Sequence, residues 1–129
     1  MADIFLSYAR DQVSEARKLA DALADAGYSV WWDRQLTAGV SWANAIEQEL
    51  DMAKCVVVLW SESSVASNWV RDEAAYAREE QKLVSVVIEK VQPPLGFQRE
   101  ATVDLTGWAG ESSHPGFTRL LETVARGDE

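Results

Sequence analysis

Residues 55–60 read Cys55-Val56-Val57-Val58-Leu59-Trp60, an apolar run with no polar interruption. A strand that is apolar along its whole length is buried on both faces, as in a parallel sheet covered by helices on each side. This stretch therefore predicts the central strand of an α/β domain. The segments before and after it are then expected to supply the neighbouring strands and the helices that cover them.

Further short apolar segments predict the other strands of the sheet, at residues 3–8, 28–32 and 83–88, with a weaker edge strand at 101–105. Apolar residues at helical spacing predict helices over 12–26, 41–53 and 68–81, and from Pro115 onward. Strands that alternate with helices predict a parallel sheet with helices on both faces. We therefore expect a flavodoxin-like three-layer sandwich with five strands in the order 2-1-3-4-5.

The connections between these elements are polar. Residues 33–40 form a connection that is long for a turn between a strand and a helix, and such loops often carry function. Residues 61–66 are rich in hydroxyl side chains and are predicted to be a loop. His114, next to Pro115, is expected to be an exposed loop residue.

The size and composition fit one cytoplasmic domain. The chain has 129 residues, which suits a single core over 1–129, and no apolar run approaches the length of a membrane helix. The residues after Met1 lack the pattern of a signal peptide, and the single cysteine, Cys55, has no partner for an internal disulfide. The net charge of −9 argues against binding to nucleic acid or to an anionic membrane.

In a sheet of this order, ligands bind outside the carboxyl ends of the strands where the winding reverses, here between the first and third strands. This rule gathers the polar residues that follow the first strand and the third strand around one crevice, overhung by Asp33. They are Ser7, Tyr8, Arg10, Ser61 and the start of the helix at Asn68.

Glu73 is the carboxylate most open to a functional interpretation. It falls in the second turn of its helix, and its neighbours three and four residues away are Trp69, Val70, Tyr76 and Ala77, none of them basic. Burial would raise the pKa of such a carboxyl group unless a hydrogen bond or a charge from elsewhere offset it. The alternative is an ordinary acidic residue that offsets the helix macrodipole.

Three segments in this order resemble a Toll/interleukin-1 receptor (TIR) domain. They are Asp3-Ile4-Phe5-Leu6-Ser7-Tyr8, the segment from Trp32-Asp33 to Ala38-Gly39 that matches the BB loop, and Ser67-Asn68-Trp69-Val70-Arg71-Asp72-Glu73. The resemblance covers nearly the whole chain. Its tryptophan-rich patterns look more like bacterial defence TIR domains than animal receptors, many of which carry proline where Ala38 stands.

The resemblance implies either an enzyme that hydrolyses NAD or a scaffold that only binds other TIR domains. Enzymatic members place a glutamate where Glu73 stands and cleave the bond between nicotinamide and ribose. Glu73 then acts as a nucleophile or as an electrostatic stabiliser, and the product is ADP-ribose or a cyclic variant; both choices stay open. NAD is the substrate in this scheme, which includes no cofactor and no metal.

The resemblance also implies roles for other residues. Substrate contacts are expected from Trp69, Asp33, Arg10, Tyr8, Ser7 and Trp42. The loop expected to contact neighbouring TIR domains includes Arg34, Leu36, Ala38 and Gly39. We further expect homotypic assembly, and an effector domain that belongs with a sensor domain.

Simpler interpretations stand beside these. Ser7 and Ser61 are also explained as groups that satisfy the backbone at strand ends, and Trp69 and Trp42 as core side chains. Two other classes of protein share the predicted fold. A phosphoacceptor receiver domain needs paired acids that Leu6-Ser7-Tyr8 does not provide, whereas a nucleoside deoxyribosyltransferase uses similar glutamate chemistry.

Overall fold

The computed structural model describes residues 3–32, 48–93, 102–111 and 113–127. Within these residues the strands form one parallel sheet in the order β2-β1-β3-β4-β5, which confirms the predicted order. The strands are β1 (Ile4–Ser7), β2 (Val30–Trp31), β3 (Cys55–Trp60), β4 (Leu83–Val87) and β5 (Thr102–Asp104). The apolar run that begins at Cys55 is the central strand, as predicted, and pairs with β1 and β4.

Helices cover both faces of this sheet. They are α1 (Val13–Asp25), α2 (Glu62–Val65), α3 (Asn68–Glu79) and α4 (Pro115–Gly127), and a 3₁₀ turn, Arg10–Gln12, precedes α1. Residues 48–52 are also helical and end the helix that the sequence predicts before β3; its start lies outside the described residues.

The sheet divides the core into two layers because successive side chains of a strand point to opposite faces. Leu6, Val57 and Val86 pack in the layer that α1 and α4 cover. Phe5 and Val58 pack in the other layer, which α3 and residues 48–52 cover. Ser7 and Glu73, which form the candidate site described below, lie in this second layer, which we call the α3 layer.

The prediction of a loop over residues 61–66 is wrong, because this segment contains α2. The Ser61 hydroxyl accepts a hydrogen bond from the Ser64 backbone N–H at 3.2 Å, and the Ser64 hydroxyl accepts one from the Ser61 N–H at 2.6 Å. Each serine thus caps a backbone group at the start of the helix. A serine-rich segment without an apolar stripe does not show helical periodicity, but it can still cap one turn.

His114 lies in a loop, as predicted, but the prediction that it is exposed is wrong, because its side chain is half-buried. Its Nδ1 accepts a hydrogen bond from the Gly116 backbone N–H at 3.0 Å, at the start of α4. The imidazole therefore satisfies one of the N–H groups that the first turn of a helix leaves without a partner.

Lys82 joins residues 48–52 to the segment between α3 and β4. Its ammonium group donates to the carbonyl oxygens of Leu50, Asp51 and Ala53 at 2.7, 3.1 and 2.9 Å. Tyr76 of α3 donates its hydroxyl to the Asp51 carboxylate at 2.5 Å, and this bond raises the pKa of Tyr76 to about 12. Tyr76 thus contacts the neighbouring helix and does not contribute its hydroxyl to the environment of Glu73.

Replacement of Lys82 by methionine is expected to lower the free energy of unfolding by about 2 kcal/mol, since carbonyl groups at a helix end lose a charged donor. Urea unfolding followed by circular dichroism measures this loss. Lys90→Met changes the same side chain at an exposed position and is expected to have a small effect. Equal losses in the two variants would contradict the role of Lys82.

Two helices end in the same hydrogen-bonding pattern with different residues at its left-handed position. After α1, Gly27 has a φ of 101°, and the Tyr28 N–H donates to the Leu23 carbonyl at 3.1 Å. After α3, Gln81 has a φ of 59°, and the Lys82 N–H donates to the Ala77 carbonyl at 2.9 Å. Glycine suits this position because it has no Cβ, so Gln81 carries a conformational cost that Gly27 avoids.

Exchanging Gln81 for glycine is therefore expected to raise the free energy of unfolding by roughly 1 kcal/mol. Gly27→Ala is the reciprocal control, with an expected loss of roughly 1 kcal/mol. A Cβ at Gly27 meets nothing within 4 Å, so this loss is conformational and not steric. Both changes are measured by urea unfolding, and a destabilised Gln81→Gly variant would refute this account.

Two classes of feature are absent from the described part of the chain. None of its helices is long and apolar enough to cross a membrane. Nor do three or more histidine, cysteine, aspartate or glutamate side chains gather there in a way that would hold a metal ion.

Candidate active site

Glu73 and Ser7 meet at the carboxyl end of β1. The Ser7 hydroxyl donates a hydrogen bond to Oε1 of Glu73 at 2.6 Å, although the two residues are 66 positions apart in the sequence. Ser7 has no exposed surface, and Glu73 is 5% exposed. The carboxylate that the sequence singles out therefore lies inside the protein, against the sheet, and not in open water.

The periodicity of α3 explains why Glu73 is directed inward. Val70, Glu73, Ala74 and Ala77 are its buried residues, at a spacing of three and four that forms one helix face. Ser67 begins the helix, and its hydroxyl accepts a hydrogen bond from the Val70 N–H at 3.3 Å. Glu73 thus occupies a place on the core face that packing alone would give to an apolar side chain.

Burial of this carboxylate is costly unless hydrogen bonds replace the water that it loses. Ser7 supplies one such bond, and a hydrogen bond to a charged group contributes about 1.5–3 kcal/mol. Its donor–acceptor distance of 2.6 Å is in the range of charge-assisted O–H···O bonds. The α3 layer thereby holds the Glu73 carboxylate in a defined position next to the sheet.

The pair lies at the point where the winding of the sheet reverses. β1 and β3 are neighbours in the sheet, and Ser7 is in register with Val58 of β3. From β1 the chain continues to β2 at one edge, and from β3 it continues to β4 and β5 at the other. Ligands of such sheets bind beyond the carboxyl ends of these two strands, so Ser7 and Glu73 lie where the sequence predicts the crevice.

Side-chain contacts connect the loops around this point. The Ser63 hydroxyl of α2 donates to the Asp11 carboxylate at 2.5 Å, which connects α2 to the 3₁₀ turn after β1. The Glu62 N–H at the start of α2 donates to the Glu89 carboxylate at 3.0 Å. No pattern in the sequence predicts these contacts. The serines three residues apart, at 61 and 64, do indicate the start of α2.

The other predicted residues in the described part occupy different positions around Glu73. Trp69 lies one turn before Glu73 on α3 and is 43% exposed. Arg10 is exposed in the 3₁₀ turn, whereas Tyr8 is largely buried and donates its hydroxyl to the Trp32 carbonyl at 2.8 Å. The Ser61 hydroxyl is used in capping α2, in agreement with the simpler interpretation of that residue.

Six predicted residues fall outside the described part of the chain. They are Asp33, Trp42 and the interaction-loop residues Arg34, Leu36, Ala38 and Gly39. Their roles remain expectations from the sequence.

A separate cleft of about 200 Å³ opens on the face that α1 and α4 cover. Leu19 of α1, Leu59, Leu105 and the ring of Trp108 contribute to its lining, whereas Ser7 and Glu73 do not. This cleft is therefore distinct from the site at the end of β1.

Structural comparison shows the same fold in several proteins of low sequence identity. The TIR domain of the Toll-related receptor TRR-2 from the lower metazoan Hydra magnipapillata matches with a TM-score of 0.80 and 16% identity, over 97% of this chain and 99% of that chain. A metazoan TIR-STING receptor from C. gigas, in complex with 2′,3′-cGAMP, matches with a TM-score of 0.78 and 19% identity. That match covers 96% of this chain but 39% of the receptor.

A third match covers less of the chain. The TIR domains of the activated Roq1 resistosome, which directly recognizes the pathogen effector XopQ, match with a TM-score of 0.59 and 23% identity, over 69% of this chain and 60% of that chain. No curated protein matches the sequence. The sequence model of the TIR domain family matches residues 4–121, from β1 into α4, and the chain therefore belongs to the TIR domain family.

Proposed function

We propose that this chain is an NAD glycohydrolase that cleaves the bond between nicotinamide and ribose in the cytoplasm. The observation that carries the proposal is the Glu73 carboxylate, held on the core face of α3 by Ser7 at the carboxyl end of β1. TIR domains include NAD-cleaving enzymes as well as scaffolds. The products are nicotinamide and ADP-ribose or a cyclic variant, and the setting is bacterial immune defence.

The proposed reaction needs one fixed negative charge. Cleavage of the glycosidic bond builds positive charge on the ribose ring, and a carboxylate beside the ring lowers the energy of that transition state. Nicotinamide leaves as a neutral molecule and needs no proton from an acid. Glu73 alone therefore meets the requirement, either through space or through a transient covalent bond to the ribose.

The burial of Glu73 favours activity that depends on assembly. With 5% of its surface exposed, Glu73 does not present its carboxylate to a ribose in the single chain. A rearrangement must open a path to it, and contact with a second TIR domain is the proposed cause. TIR domains generally assemble with other TIR domains, and a fused or associated sensor domain would then control activity by controlling assembly.

The same burial favours a second candidate, a non-catalytic module that recruits other TIR domains. In that case the hydrogen bond between Ser7 and Glu73 only fastens α3 to β1, and the carboxylate never meets a substrate. The two candidates share the fold, so a measurement of turnover is needed to separate them.

The deciding experiment is release of nicotinamide from NAD, followed by chromatography over a wide range of protein concentration with and without a crowding agent. The enzyme hypothesis predicts that turnover per chain rises with concentration, because assembly follows mass action. A parallel incubation with a deoxynucleoside tests for transferase chemistry. Absence of nicotinamide at every concentration would favour the recruiting module.

A further inference from the structure

We propose that Ser7 is a positioning residue that fixes the direction of the Glu73 carboxylate, and not a group that binds the substrate. This inference rests on the proposed NAD hydrolysis. It replaces the substrate contact that the family resemblance implies for Ser7 with a role that acts through Glu73.

The geometry leaves the Ser7 hydroxyl no proton for a substrate. A serine hydroxyl carries a single donor, and that donor is directed at Oε1 of Glu73 at 2.6 Å. Ser7 has no exposed surface, whereas Glu73 keeps 5% of its surface exposed, so of the two side chains the carboxylate is the one nearer to solvent. The hydroxyl therefore acts on any reaction only by way of the carboxylate.

Ser7 lies on a part of the sheet that can hold the Glu73 carboxylate in one position. It ends β1, which pairs with β2 on one side and with β3 on the other, and it is in register with Val58. A strand between two others is a rigid part of the fold, whereas a glutamate side chain turns about several bonds and its terminal torsion is broad. A hydrogen bond from a fixed strand to that terminal group restricts the torsion that sets where the negative charge points.

Such a restriction affects the rate more than the binding of substrate. The carboxylate must face the ribose within a narrow range when charge develops, and a misplacement of about 1 Å costs up to roughly a hundredfold in rate. Substrate affinity depends on many other contacts. Loss of the Ser7 hydroxyl should therefore lower kcat and leave KM nearly unchanged.

Ser85 of β4 provides a matched control. It is also a fully buried serine on a central strand, and the alternation of β4 places it in the α3 layer with Leu83 and Val87. Among the described residues its hydroxyl has no hydrogen-bond partner. Ser85→Ala thus makes the same chemical change in the same layer without altering Glu73.

The test measures kcat and KM for NAD at a protein concentration that supports turnover. Ser7→Ala is expected to lower kcat about ten- to a hundredfold with KM within about twofold of the parent value, and Ser85→Ala to change neither. Ser7→Cys keeps a weaker donor of similar size and should give an intermediate kcat. A higher KM with unchanged kcat, or no change in either, would overturn the positioning role.

A double-mutant cycle tests the contact without turnover. Urea unfolding of Ser7→Ala, Glu73→Ala and the double variant should give non-additive shifts, because each single change removes the hydrogen bond, and the double variant should lose less than the two single losses combined. Additive shifts would refute the contact. If the parent protein releases no nicotinamide at any concentration, the proposed function fails, and the positioning role of Ser7 fails with it. If the parent protein is active but the unfolding shifts are additive, only the positioning role of Ser7 is refuted.

Discussion

Exchange of Glu73 for glutamine is expected to lower the rate of nicotinamide release from NAD by at least about a hundredfold. Glutamine has nearly the same size and can still accept the hydrogen bond from Ser7, so the packing of α3 against β1 is retained. In the proposed reaction, the change removes the negative charge that would stabilise the positive ribose ring in the transition state. Chromatography of the reaction at matched protein concentrations measures the effect.

Asp72→Asn is the control for this experiment. Asp72 is adjacent to Glu73 on α3 but is exposed, so the variant makes the same change in charge away from the core. It is expected to keep full activity, and circular dichroism of both variants checks that α3 is intact. A Glu73→Gln variant that hydrolyses NAD as fast as Asp72→Asn would show that the reaction does not use this carboxylate.

Exchange of Gly116 for alanine is expected to cost about 3 kcal/mol of stability and to lower the melting temperature by roughly 10 °C. A Cβ at this position would lie well inside van der Waals contact with the carbonyl oxygen of Asp104, and only 3.0 Å from Cδ2 of Leu105. The backbone oxygen cannot swing aside as a flexible side chain can. The first turn of α4 would therefore move away from β5.

Calorimetry of Gly116→Ala and of Arg119→Ala tests this prediction. Arg119 is an exposed residue of the same helix, and its truncation is expected to change the melting temperature little. If Gly116→Ala melts within about 2 °C of the parent protein, the close approach of α4 to β5 does not limit stability.

Local patterns predicted most of the fold correctly, because they record which side chains an element must bury. The unbroken apolar run of β3 and the helical spacing in α1 and α3 depend only on neighbours in the sequence. The strand order followed from the general rules for alternating strands and helices. The missed helix α2 and the mistaken exposure of His114 share one cause. In both places a side chain makes a hydrogen bond to the start of a helix, and such bonds leave no periodic signal in the sequence.

The sequence predicted the residues of the candidate site but not the contact between them. The sequence identified Glu73 as a carboxylate among apolar neighbours and gathered Ser7 to the same end of the sheet. It did not identify Ser7 as the residue that donates to Glu73, because Ser61 and other hydroxyl groups were placed in the same crevice. The structure separates them: Ser7 bonds to Glu73, whereas Ser61 caps α2.

By itself, the sequence determined the family and the layers of the domain, and it singled out the acidic residue on which the proposed reaction depends. Each of these follows from residue types at short spacing along the chain. Only the tertiary structure decided that Glu73 is almost fully buried and that Ser7, 66 residues earlier, holds it. The contact between Ser7 and Glu73 forms because α3 packs against β1. A pattern among neighbouring residues does not show which distant segments will meet.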